Sequence, residues 1–136
     1  MSALYTANLV GFGPSQFDSL AKTVPASVYT LVALLQLGGS RQTASFDLLV
    51  ATAALTGLQF SRTSIVGGTH TPTATDASCN TTSNDVLSAN PTNLYQLAAG
   101  AVGHVRLGGL QGVQELGIWA KSGSGTATLR VVGGVA

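Results

Sequence analysis

The stretch ELGIWAKSGSGTATLRVV, residues 115–132, decides how this chain folds. Leu116, Ile118 and Ala120 alternate with Glu115, Gly117, Trp119 and Lys121. A two-residue period is the mark of a strand with one buried face. Ser122-Gly123-Ser124-Gly125 follows as a short flexible connector, and beyond it Ala127, Leu129 and Val131 oppose Thr128 and Arg130. The pattern predicts two strands joined as a hairpin that closes the domain.

The same alternation recurs upstream. Val105 and Leu107 oppose His104 and Arg106, and Leu58 and Phe60 oppose Gln59, Ser61 and Thr63. Val28 to Leu37 is apolar on both faces, as a strand between two layers would be. Its Leu and Ala content also suits a helix, as does that of Ser45 to Leu55. The Val, Tyr and Thr content and the Gly38-Gly39 stop favour a strand. Ser15 to Lys22 is expected to form one short helix, with Ser15 as N-cap, Asp18 in the first turn, and Phe17, Leu20 and Ala21 on one face. Pro25 closes it.

Ala3 to Phe12 reads as an extended arm or first strand, ended by the turn signal Gly11-Phe12-Gly13-Pro14. Gly67 to Asn93 is rich in Thr, Ser and Asn and contains Pro72 and Pro91. It is expected to be a long loop with at most a short strand near Val86-Leu87, and a loop of that length usually serves interaction or function. The 17 glycines suit short strands separated by tight turns. The expected fold is mainly all-β, an antiparallel β-sandwich or jelly-roll-like domain with at most one short helix. Residues 1–136 form one domain, with an N-terminal extended arm over about residues 1–13; no internal repeat is visible.

Composition narrows the function classes. Hydrophobic residues make up 45% of the chain and charged residues only 8%, against about 25% charged in an average protein. A surface so poor in charge is tolerated in a membrane or against other protein chains. A spanning helix needs roughly 20 consecutive apolar residues. The best run, Val28 to Leu37, is interrupted by Thr30 and Gln36, and the run from Leu48 to Leu58 by Thr52, Thr56 and Gly57. A membrane barrel would carry aromatic girdles, and aromatics are 6% here. Burial against protein partners is the better explanation. A net charge of +1, with scattered basic residues, argues against a nucleic-acid surface. The start, Met1-Ser2-Ala3-Leu4-Tyr5, lacks a basic segment followed by an apolar core, so no secretory signal is expected.

Residues able to carry chemistry are few. Cys79 is the single cysteine and has no charged sequence neighbour to activate it. His70 lies in the Thr-rich loop and His104 on the polar face of a strand, and neither has a metal-ligand partner at short spacing. Asp18, Asp47, Asp76, Asp85 and Glu115 are spread along the chain, with no paired acid and base in sequence. Asp76, Asn80, Asn84 and Asp85 share one polar loop without the spacing of a calcium site. Asn80-Thr81-Thr82 fits the glycosylation pattern, a chance match without a signal peptide. The glycine-rich turns lack the strand–helix context of a phosphate loop, and no Gly-x-Ser-x-Gly elbow occurs. The sequence therefore reads as a non-enzyme with no catalytic, metal or cofactor site. Trp119 falls on the polar face of its strand, where it serves either as an exposed interface anchor or as a core residue turned in by a bulge.

The charge-poor, Gly/Ala/Thr/Val-rich β composition, together with the C-terminal run Trp119-Ala-Lys-Ser-Gly-Ser-Gly-Thr-Ala-Thr-Leu-Arg-Val-Val-Gly-Gly134, resembles small tailed-bacteriophage virion proteins, above all head decoration or cement proteins. The resemblance covers Leu94 to Gly134 best. It implies a β-sandwich that clusters on a capsid, with a trimer favoured, assembled in the host cytoplasm and located in the virion. It implies the major capsid protein or other virion subunits as partners, and neither nucleic acid nor membrane. An arm that adds to a neighbour's sheet edge would suit that role, so the expected interface residues are Leu4, Tyr5, Leu9, Phe12 and Trp119. A tail-tube, connector or fibre-base subunit is the structural alternative. A carbohydrate- or ligand-binding β-sandwich module is the alternative of another class, although Tyr5, Tyr29, Tyr95 and Trp119 form no platform legible in sequence.

Overall fold

The computed structural model describes residues 4–67 and 97–136. Nine strands account for the regular structure there: β1 (Tyr5–Asn8), β2 (Ser15–Asp18), β3 (Lys22–Val24), β4 (Thr30–Gln36), β5 (Ala44–Ala51), β6 (Leu55–Thr63), β7 (Val102–Leu107), β8 (Glu115–Ser122) and β9 (Ala127–Val135). They form two sheets. One has the order β1-β4-β8-β6, and the other β2-β9-β5-β7, with β3 continuing the β2 edge along β9. All pairings between these strands are antiparallel except β1 with β4. The domain is an all-β sandwich.

Alternation does the work the sequence assigns to it. Leu116, Ile118 and Ala120 of β8 face Phe46, Leu48, Leu129 and Val131 of the other sheet across one core. Phe46 joins the layers: its ring meets Phe60 edge-on at 6.0 Å and Phe17 at 6.1 Å. Phe17 and Phe46 flank Gly133 in adjacent strands. With no side chain at 133, the two rings can meet over the middle strand.

Three expectations are corrected. Ser15 to Lys22 contains no helix; it is β2, a jog at residues 19–21, and β3. Gln16 and Asp18 point outward and Phe17 inward, a strand pattern that the apolar spacing of Phe17, Leu20 and Ala21 conceals. Leu20 takes φ 56°, and its N–H donates to Asp18 Oδ1 at 2.9 Å. Ser19 holds the jog to β9 by accepting the Val131 N–H at 2.8 Å on Oγ. The connector Gly123–Thr126 does not close a hairpin, because β8 and β9 lie in different sheets. It carries the chain across the roughly 10 Å between layers, with the Ser122 hydroxyl donating to the Gly125 carbonyl at 2.5 Å.

The N-terminal segment is a strand of its own domain rather than a free arm. Tyr5–Asn8 pairs with residues 33–36 of β4, the Leu9 N–H donates to the Gln36 carbonyl at 2.8 Å, and Ala7 and Leu9 are core residues. The expected loop Gly67–Asn93, with His70, Asp76, Cys79, Asn80, Asn84 and Asp85, lies outside the described residues beyond Gly67.

Candidate functional site

Strand ends define two poles. At one of them β1, β4, β6, β7 and β9 end while β2, β5 and β8 begin. The exposed apolar residues Val10, Phe12, Ile65 and Val66 all belong to connections at that pole. Phe12 is 93% exposed. Water would normally favour folding such a ring inward, but the loop from Leu9 to Ser15 is fastened from below.

The fastener is Arg41, from the β4–β5 connection, only 2% exposed. Its Nε donates to the Leu9 carbonyl and its Nη2 to Ser15 Oγ, each at 2.9 Å, while Nη1 donates to the Gly13 carbonyl. One planar guanidinium thus spans both ends of the loop, which a lysine could not do. Ser40 Oγ adds a bond to the Gly11 carbonyl at 3.3 Å. Gly13, at φ 81°, takes the left-handed turn that the tight return requires. The result is a large aromatic ring presented on a pre-organised loop.

The other expected interface residues divide. Leu4 is 45% exposed near the opposite end of β1. Tyr5 packs its ring against the core. Leu9 is buried in its own core at 6% exposure and is unavailable to a partner. Trp119 is half-buried on the outer face of the β1-β4-β8-β6 sheet, opposite a register irregularity of β4 between Leu31 and Ala33; its indole N–H donates to Ser61 Oγ at 2.9 Å. Nearby, Lys121 Nζ lies 5.0 Å from the centre of the Tyr29 ring, and Gly57 leaves room for that ring to cross β6. Burial pushes the Tyr29 phenol pKa up. These aromatics are occupied by their own chain rather than laid out as a bare stacking platform.

A second concentration of polar groups lies on the outer face of the β2-β9-β5-β7 sheet. Asp18 and Arg130 form a two-pronged pair, Nε–Oδ1 at 2.9 Å and Nη2–Oδ2 at 2.5 Å. The guanidinium bonds, with help from the Leu20 N–H, hold the Asp18 pKa at about 2. Beside it, His104 Nδ1 lies 2.7 Å from Asp47 Oδ1 and Nε2 lies 3.1 Å from Ser45 Oγ. Sequence reading leaves His104 without a partner because Ser45 and Asp47 are 59 and 57 positions away; only the β5–β7 register joins them. An open groove of about 750 Å³ is lined by Asp18, Ser45 and Asp47, with Gly134 between Gln16 and Ser45, while His104 stands outside it on the β7 side of β5.

Among the described residues no group of three or more His, Cys, Asp or Glu side chains is placed to hold a metal ion. Comparison with protein families, with curated proteins and with solved structures finds no match.

Proposed function

We propose that this chain is a structural subunit of a phage virion, a decoration or cement protein that docks on the capsid shell and works through protein–protein contact. The observation that carries the reading is Phe12, an almost wholly exposed aromatic on a loop clamped by a buried arginine. Aromatic anchors of this kind dominate interface energetics, and a loop already held in place loses little freedom on binding. Val10, Ile65 and Val66 extend apolar surface over the same pole. The 8% charged composition supports burial of such surface in an assembly.

The docking element in this reading is the pole, not the N-terminal strand, because Tyr5–Asn8 already pairs within its own sheet. The major capsid protein, or a neighbouring copy of the chain in a trimer, is the partner. The tail-tube or connector alternative uses the same pole in a ring. The carbohydrate-binding alternative draws less support, since Trp119 is tied to Ser61 and Tyr29 is covered by Lys121.

Phe12→Ser tests the proposal. Its ring touches solvent, so the unfolding midpoint should stay within about 0.5 kcal/mol of wild type. Sedimentation with capsid shells that lack the protein should fall at least tenfold. Undiminished co-sedimentation of a folded Phe12→Ser chain rejects the pole as the docking element.

A further inference from the structure

We propose that Ser45, His104 and Asp47 form an acyl-transfer site, with Ser45 as nucleophile toward small esters seated in the groove beside it. The inference goes beyond the assembly role and does not depend on it.

The connectivity is the ground. Ser45 and Asp47 leave β5 on the same outer face, and His104 stands opposite Asp47 on β7. A carboxylate at neutral pH only accepts hydrogen bonds. The 2.7 Å contact to Asp47 therefore places the imidazole proton on Nδ1. When the ring carries only that proton, Nε2 accepts from the Ser45 hydroxyl at 3.1 Å. A hydroxyl on a base, and that base oriented by an acid through its other nitrogen, is the arrangement that activates a serine.

Two neighbours complete the site. Arg106 is the register partner of Ser45 on β7 and is exposed on the same face. In this proposal its guanidinium would meet the developing oxyanion, since β5 is a central strand whose N–H groups are committed to its two neighbours. On the other side, Gly134 carries no side chain between Ser45 and Gln16. The groove of about 750 Å³ opens there, bordered by Val132 and Gly134, a size that takes a small acyl chain.

Ser45 Oγ bonds to the acyl carbon while its proton moves to His104 Nε2. The tetrahedral adduct expels the alcohol or phenol, which takes that proton. Water then attacks the acyl-serine by the same relay, releasing the carboxylic acid and restoring Ser45. Ester and water give acid and alcohol, and no other reactant is needed. His104 and Asp47 side chains are 58% and 55% exposed, so the site forgoes the gain from water exclusion. Acid–base assistance alone contributes about 10²–10⁴-fold, and turnover should be slow.

The test uses the full chain, p-nitrophenyl acetate, and a fluorophosphonate probe read by peptide mass. Wild type should hydrolyse the ester above the rate of heat-unfolded protein and carry the phosphonate on Ser45. Ser45→Ala should lose the adduct and at least tenfold of the hydrolysis. His104→Ala should lose both as well, and Asp47→Asn should slow labelling at least fivefold. All three changes are on an exposed face, and urea midpoints will show that folding is kept. No adduct on Ser45, labelling spread evenly over other serines, or hydrolysis unchanged in Ser45→Ala would each overturn the proposal.

Discussion

Replacing Gly133 by alanine should damage this protein far more than one added methyl group suggests. Gly133 sits in β9 with β2 on one side and β5 on the other, opposite Phe17 and Phe46. A Cβ built at 133 would lie 2.5 Å from Phe46 Cα and nearer still to the Ser45 carbonyl oxygen. Ordinary contacts between carbon atoms need about 3.5 Å or more, so β5 and β9 must separate by roughly 1 Å. The atoms in the way are main chain and the Phe46 Cβ fixed to it, and neither strand can retreat without losing its other neighbour. Overpacking of this kind costs about 1–3 kcal/mol. Displacing the Phe17 and Phe46 rings, now 6.1 Å apart, forfeits a further ~0.5–1.5 kcal/mol. The sum is about 2–4 kcal/mol. With a urea slope near 2 kcal/mol per molar, the midpoint should fall by about 1–2 M. Gly134→Ala is the control. Its Cβ would face the outer groove and crowd the Ser15 carbonyl oxygen, at 2.9 Å, on an edge strand, with its other neighbours at an ordinary 3.8 Å; its midpoint should fall by less than about 0.7 M. A Gly133→Ala chain that unfolds within 0.2 M of wild type (about 0.4 kcal/mol) would refute this account of the close approach.

Other outcomes follow from particular contacts. Arg41→Ala leaves the buried Leu9 carbonyl and the Gly13 carbonyl without their donor and should cost about 3 kcal/mol or more by chemical denaturation; a change below about 0.5 kcal/mol would mean that the loop holds itself. Phe46→Ala removes the ring that bridges the sheets and should cost about 3–5 kcal/mol, read as a drop in urea midpoint. For Asp18, the folded pKa of about 2 lies below the ordinary 3.8. Its ion pair with Arg130 therefore stabilises the fold above about pH 4, and that contribution is lost as pH falls from there through about 2. Asp18→Asn should flatten this part of the acid limb of a stability–pH curve, and an unchanged limb would show that the pair contributes nothing.

Much of the fold was legible because alternation is a local property. β6, β7, β8 and β9 each show their buried face in the residue pattern, as Leu58 and Phe60 or Leu129 and Val131 do. The misreadings share a cause: the deciding partner is distant. Ser15 to Lys22 looks helical until β9 supplies Gly133 and Gly134 for it to pair with. The loop at Gly123–Thr126 suits a hairpin as well as a crossing between sheets, and only the buried sets of β8 and β9 facing each other choose the crossing. Arg41 gives no local signal, since two of its three acceptors are main-chain carbonyls. His104, Asp47 and Ser45 are unremarkable separately, and only strand register makes them a cluster.

The most direct test of the assembly account is the mass of the purified chain in solution, by light scattering over a range of concentrations. Burial of the Phe12 pole between copies predicts a stable closed oligomer, a trimer at three times the 13.7 kDa chain mass, that Phe12→Ser reduces to monomer. A monomer of 13.7 kDa at every concentration, with no affinity for capsid shells, would contradict it.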